Sequence, residues 1–156
     1  MPIPHDSVTE TQPLAVDWVA FTITLRRTFA APREQVFEAW TRPEHVAFWW
    51  DPTGVRLVEC EIDLRPGGDF KFVTAHHGPP FIGTYRTIVS PSKLVFDALG
   101  AVGTVDLQDL SGKTHMTVTI KCQSSSHLKE YLKVGVDVGT ARTLDNLVAY
   151  MEKKKP

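Results

Sequence analysis

The sequence predicts an α+β domain: a curved antiparallel sheet around a long C-terminal helix, with two short helices inserted after the first strand. Three observations predict it. A β-branched and aromatic run near 19–29 gives way at once to two short helix-like segments between 32 and 48. From about 55 to 122 the chain is almost all strand and turn. The last element, about 126–153, carries apolar residues every three or four positions, the spacing of a helical stripe.

Residues 1–17 hold Pro2, Pro4 and Pro13 among polar residues and read as a loose N-terminal arm. Val16, Trp18 and Phe21 are candidates to pin its end to the body. In VAFTITLRRTF, Phe21, Ile23 and Leu25 alternate with Thr22, Thr24 and Arg26, the period of a half-buried strand. Pro32 suits a first helical position, and Glu34 favours the positive end of the helix dipole. Val36, Phe37 and Trp40 then form an apolar stripe. Thr41 and Glu44 have capping-box spacing and predict a second helix near 42–48, ended by Asp51-Pro52 and Gly54.

Strands are predicted near 55–63, 69–75, 80–90, 93–99, 101–109 and 113–122. They are punctuated by Pro66-Gly67-Gly68, Gly78-Pro79-Pro80, Pro91, Gly100 and Ser111-Gly112. Such short gaps indicate hairpins, hence an antiparallel meander. Alternation puts Phe70 and Phe72 on one face, Phe81, Gly83, Tyr85 and Val89 on one face, and Leu94 with Phe96 opposite Asp97. Glu59, Glu61 and Asp63 share a face that should be exposed, because like charges side by side are costly indoors.

For the final helix, Ser124, Ser125 and Ser126 are candidate caps. Val134, Val138, Ala141, Leu144, Val148 and Met151 make the stripe, widened by Val136 and Leu147. Between 134 and 149 only Asp137, Arg142 and Asp145 are charged, so this helix must be covered over much of its surface. Gly135 and Gly139 each weaken helix propensity by about 1 kcal/mol and mark a kink, a close approach or a break. The domain is thus expected over 18–153, with a basic tail at 154–156.

A chain of 156 residues fits one domain. Net charge is −1, from 17 basic and 18 acidic side chains, and the single basic run is Lys153 to Lys155, which suits a solvated helix end. Nucleic acid is therefore not an expected partner. No stretch reaches the roughly 18 apolar residues of a membrane helix, and residues 1–17 lack a signal-peptide pattern. A cytoplasmic protein is expected, as a monomer or a homodimer. Cys60 and Cys122, far apart and outside any CxxC pair, are expected as free thiols.

The residues that could carry chemistry do not form a set. His76 and His77 are adjacent in an extended segment and so point to opposite faces. His45, His115, His127, Cys60 and Cys122 show no zinc-site spacing, and neither a metal nor a cofactor is expected. Pro66-Gly67-Gly68 is a strand-joining turn rather than a dinucleotide fingerprint. Of Trp49 and Trp50, one is expected to cap the core and the other to line a cavity mouth. The Tyr85 hydroxyl could meet a bound molecule or a neighbouring backbone group. Asp97, if buried, would have a raised pKa and could serve as an acid or base; on a solvent face it would not.

Three segments together carry a family resemblance: LRRTFAAPREQVFEAWTRPEHVAFWW, VECEIDLRPGGDFKF and FIGTYRTIVSPSKLVF. They resemble the proteins related to the C-terminal domain of the activator of the Hsp90 ATPase, within the START and Bet v 1-like superfamily. The resemblance covers about 24–153. It implies a β-α-α-β6-α helix-grip fold, whose members often enclose a cavity for small apolar molecules; the fold itself does not name an activity. The sequence departs from the common pattern at the short His76-His77-Gly78-Pro79-Pro80 connection and at Leu99 to Val105, where many members have Trp-rich strands. It also departs in the final helix, where a Gly-Trp pair is matched by Gly135-Val136 or Gly139-Thr140. The last two departures remove bulk near the expected cavity.

The expected function is binding of a small apolar or amphipathic molecule, with Trp50, Phe72, Phe81, Tyr85, Phe96, Val134, Val138 and Ala141 as candidate ligand contacts. A protein-interaction or stress-response module with a chaperone partner is the second expectation. A cavity-based enzyme of cyclase or hydrolase type, using Tyr85 and one histidine, is the third. No catalytic residue is assigned.

Overall fold

A computed structural model describes residues 13–76 and 78–153. Eight strands form one antiparallel sheet: β1 (Leu14–Asp17), β2 (Thr22–Phe29), β3 (Glu59–Ile62), β4 (Asp69–Val73), β5 (Phe81–Val89), β6 (Lys93–Ala98), β7 (Ala101–Leu110) and β8 (Lys113–Lys121). Their order across the sheet is β1-β2-β8-β7-β6-β5-β4-β3. Strands β3 to β8 form the meander that the turn residues predict. The one long-range closure joins β2 to β8, with Thr22 opposite Lys121 and Phe29 opposite Thr114.

The helices are α1 (Arg33–Thr41), α2 (Pro43–Trp49), α3 (Ser125–Lys133) and α4 (Val136–Lys153). Val36, Phe37 and Trp40 are buried, as their spacing predicts. Two expected helix starts shift. Pro32 caps α1 from outside, and Arg42 rather than Thr41 precedes α2, with Pro43 in its first turn. Thr41 belongs to the end of α1, and its hydroxyl donates back to the Phe37 carbonyl at 2.8 Å instead of capping.

Residues 14–17, expected within a loose arm, form edge strand β1, pairing Leu14 with Leu25 and Asp17 with Thr22. Residues 1–12, His77 and 154–156 lie outside the described residues. On β2, Ile23, Leu25 and Phe29 turn inward. Arg27 shares their face and fastens α4 to β2: its guanidinium donates to Asp145 Oδ1 at 3.0 Å and to the Ala141 carbonyl at 3.2 Å.

Only Glu59–Ile62 of the predicted 55–63 strand is a strand. Glu59, Glu61 and Asp63 are exposed, as like-charge repulsion requires. Strand β5 departs from simple alternation. Its pairing with β6 shifts between Tyr85 and Thr87, and the extra residue of such a bulge turns the following side chains over. Ile88 therefore packs against the core, while Val89, expected on the face of Tyr85, is exposed.

The predicted 126–153 helix is two helices. Ser124 caps α3, its hydroxyl accepting from the His127 N–H at 3.1 Å. The chain then breaks at Gly135, whose φ of +80° belongs to the left-handed region that a side chain disfavours. The Gly135 N–H donates to the Leu132 carbonyl, closing α3, and the Gly135 carbonyl accepts from the Gly139 N–H, opening α4. None of the described helices is long and apolar enough to cross a membrane.

Candidate functional site

Between the inner face of the sheet and α4 lies a cavity of about 280 Å³. Its size follows from local sequence. Strand β7 places Ala101 and Gly103 inward, where bulk would otherwise fill the space; a Cβ on Gly103 would approach the Phe96 ring to 2.5 Å. Helix α4 contributes Val136, Gly139, Thr140, Thr143 and Leu144 to the wall. The plain stretch Leu99–Val105 and the two glycine pairs of the last helix, noted above as departures that remove bulk, thus supply Leu99, Ala101, Gly103, Val136, Gly139 and Thr140 to the lining.

The wall is apolar, and the described residues lining it include no histidine, cysteine, carboxylate or cationic side chain. Of its hydroxyls, Thr143 donates to the Trp50 carbonyl at 2.9 Å and Tyr131 donates to the Leu99 carbonyl at 2.7 Å. Those bonds tie α4 to the end of α2, and α3 to the β6–β7 turn. Burial pushes the Tyr131 phenol above its ordinary pKa, with the Cys122 thiol a lesser cause. Among the lining residues Pro52 and Leu99 are the exposed ones, which places the mouth between the α2–β3 loop and the β6–β7 turn.

The candidate contacts separate into three groups. Trp50, Phe81 and Phe96 line this cavity. Phe72 and Tyr85 stand deeper, on a small void of about 20 Å³ that shares Trp40, Trp50 and Phe96 with it. Trp50 joins the two regions, with its ring centroid 4.8 Å from that of Phe72 and 5.0 Å from that of Phe81. Val134, Val138 and Ala141 do not line either space. Val134 is 73% exposed, because the turn at Gly135 takes it out of phase with the helix that follows, and Val138 is 51% exposed in the first turn of that helix. Ala141 packs toward β2, where its carbonyl is held by Arg27.

Trp49 is the fully buried member of the tryptophan pair, its indole N–H donating to the Ala39 carbonyl at 3.0 Å. Burial drives the Tyr85 phenol well above its ordinary pKa, with Cys60 a lesser cause, and pushes the Cys60 thiol up to about 11, with Glu44 a lesser cause. Both groups are neutral at pH 7. Asp97 lies on the outer side of β6 and pairs with Arg86 at 2.6 Å. His76, on an exposed loop, sits 3.0 Å from the buried Asp51 carboxylate and 3.1 Å from the Thr53 hydroxyl, fastening the β4–β5 loop to the α2–β3 loop. No group of three or more His, Cys, Asp or Glu side chains among the described residues is placed to hold a metal ion.

A sheet gripping a C-terminal helix over an apolar cavity defines the helix-grip class of protein. Residues 30–152 match the family model described as Activator of Hsp90 ATPase homolog 1-like protein, and the chain belongs to that family. Its fold is shared by a Nitrosomonas europaea protein, 23% identical, with TM-score 0.77 over 85% of this chain and 95% of that one. A Mycobacterium smegmatis protein is 19% identical, with TM-score 0.78 over 92% and 99%. An Arthrobacter aurescens protein is 19% identical, with TM-score 0.79 over 90% and 91%. No curated protein matches the chain.

Proposed function

We propose that the protein binds a small apolar or amphipathic molecule in the cavity between its sheet and α4. The observation that carries this reading is an apolar space of about 280 Å³ with a mouth at the surface. Pockets for small molecules run from about 300 to 1,000 Å³, and this one lies just below that range, so the site suits a compact occupant. An apolar void forfeits the dispersion contacts that a filled interior would have, and an occupant of matching shape restores them. Thr140, among the residues of the wall, is the candidate polar contact for an amphipathic occupant.

Native mass spectrometry of protein purified from its own host tests this directly. A stoichiometric apolar adduct is expected. It should be lost in Val136→Trp, which puts an indole into the cavity wall at one of the two positions that match the Gly-Trp pair of the family. An adduct that persists in a folded Val136→Trp variant would place binding elsewhere. Clean unliganded protein that also fails to take up neutral aromatic probes would end the binding reading. The family's description raises a chaperone partner, which a pull-down with purified Hsp90 addresses separately.

A further inference from the structure

Two hairpin turns in this sheet share one geometry and differ in one residue. Between β6 and β7 stand Leu99 (φ +53°) and Gly100 (φ +80°); between β7 and β8 stand Ser111 (φ +54°) and Gly112 (φ +88°). Two-residue loops with both central φ values positive are type I′ turns, which favour Asn, Asp or Gly at the first position. Ser111 is a modest departure, and its turn is supported by Asp109 Oδ1, which accepts from the Gly112 N–H at 3.1 Å. Leu99 is a strong departure: a bulky residue in the left-handed region, 67% exposed to water. Neither turn chemistry nor core packing explains a leucine there.

Its surroundings do. Leu99 lines the cavity mouth, and its turn is clamped from two sides. The Tyr131 hydroxyl donates to the Leu99 carbonyl at 2.7 Å, and Gln123 Nε2 donates to the Gly100 carbonyl at 2.8 Å. Side chains that break a local rule and are held in place by neighbours concentrate at functional sites. We propose that Leu99 is a ligand-contacting lip: its side chain covers the outer end of the bound molecule, so the site selects an occupant that is apolar at the mouth as well as inside. This rests on the cavity being the binding site. The mouth agrees with it, since Pro52, the other exposed lining residue, is also apolar.

The test uses N-phenyl-1-naphthylamine, a neutral fluorescent apolar probe, with the full chain and three variants. Val136→Trp locates the probe: saturable binding by wild type that this variant abolishes places it in the cavity. Leu99→Asn supplies the residue the turn prefers and removes the apolar lip. It should melt at the same temperature as wild type or higher, yet bind the probe about five- to tenfold more weakly, the effect of uncovering part of a leucine-sized apolar contact. Leu99→Met keeps an apolar side chain and should bind within about twofold of wild type, since volume-conserving apolar swaps are well tolerated. Equal affinity in Leu99→Asn, or equal loss in Leu99→Met, overturns the lip while leaving the cavity reading intact. A lower melting temperature for Leu99→Asn overturns the claim that leucine strains the turn. Absence of saturable binding in wild type overturns the cavity reading for this probe class, and the lip with it.

Discussion

Arg27 shows how much a single inward-facing cation can organise. Its side chain is 14% exposed and reaches Asp145, the Ala141 carbonyl, the Arg26 carbonyl and the Pro13 carbonyl. The ion pair itself contributes little, because Asp145 is 69% exposed and water screens it. The bonds to main-chain carbonyls matter more, since a guanidinium presents several donors in a fixed fork. Arg27→Ala is expected to lower unfolding free energy by about 1–3 kcal/mol, measured by urea denaturation. Arg27→Lys should recover less than half of that, because one ammonium cannot span three elements. The alternation along β2 puts residue 27 on the inward face with Ile23 and Leu25, but a lone arginine there gives no hint of its partners. Pro13, Ala141 and Asp145 become its neighbours only when the sheet and α4 meet.

Among the elements, the split final helix decides which residues face the cavity. The periodicity from 134 to 151 predicts one stripe, and in the later turns of α4 it holds: Leu144, Leu147 and Met151 are buried, while Val138 in the first turn is exposed. Carried back across Gly135 it fails, because a residue at φ +80° changes the direction of the chain and rotates the preceding turn out of phase. The glycine was visible in the sequence, and so was the choice among kink, close approach and break. What selects the break is the hydrogen bonding around it, with Gly135 donating to Leu132 and accepting from Gly139. Gly135→Ala is therefore expected to destabilise the protein by about 1 kcal/mol or more, despite alanine's higher helix propensity, because its Cβ is strained at positive φ. Thermal unfolding of Gly135→Ala beside Gly139→Ala checks this. Gly139 has no positive φ, and a Cβ there meets only Pro52 at 4.0 Å, so that alanine should stabilise α4 by up to about 1 kcal/mol while narrowing the mouth.

Across the whole molecule, the fold was legible because period and punctuation repeat many times. Five turn signals specify the meander, and the two-helix insertion after the first long strand specifies where it begins. The cavity was legible only indirectly, through the missing bulk at Ala101, Gly103, Val136 and Gly139, since an empty space has no residues of its own. Burial also acts on the whole molecule through its acids. Cys60, Cys122, Tyr85, Tyr131 and Tyr150 are all pushed above their ordinary pKa values, in each case first by burial. The folded chain therefore holds protons that the unfolded chain releases. Stability contributed this way is complete below the ordinary thiol value of 9.0 and is lost as pH rises toward the Cys60 value of about 11. Denaturation midpoints measured from pH 8 to 11 should fall, and Cys60→Ala should flatten the earlier part of that fall.

The pairing of β2 with β8 has a consequence for how the chain reaches this state. Every other neighbouring pair in the sheet is joined by a hairpin or a short loop, whereas Thr22 and Lys121 are brought together across most of the domain. The entropy of closing so long a loop must be met before that pair returns any contact energy, which raises contact order and slows folding. The meander from β3 to β8 can zip locally. That separation predicts that the two N-terminal strands dock onto its open edge afterwards, which pulse-labelled hydrogen exchange would read as later protection of β2 than of β5 to β7.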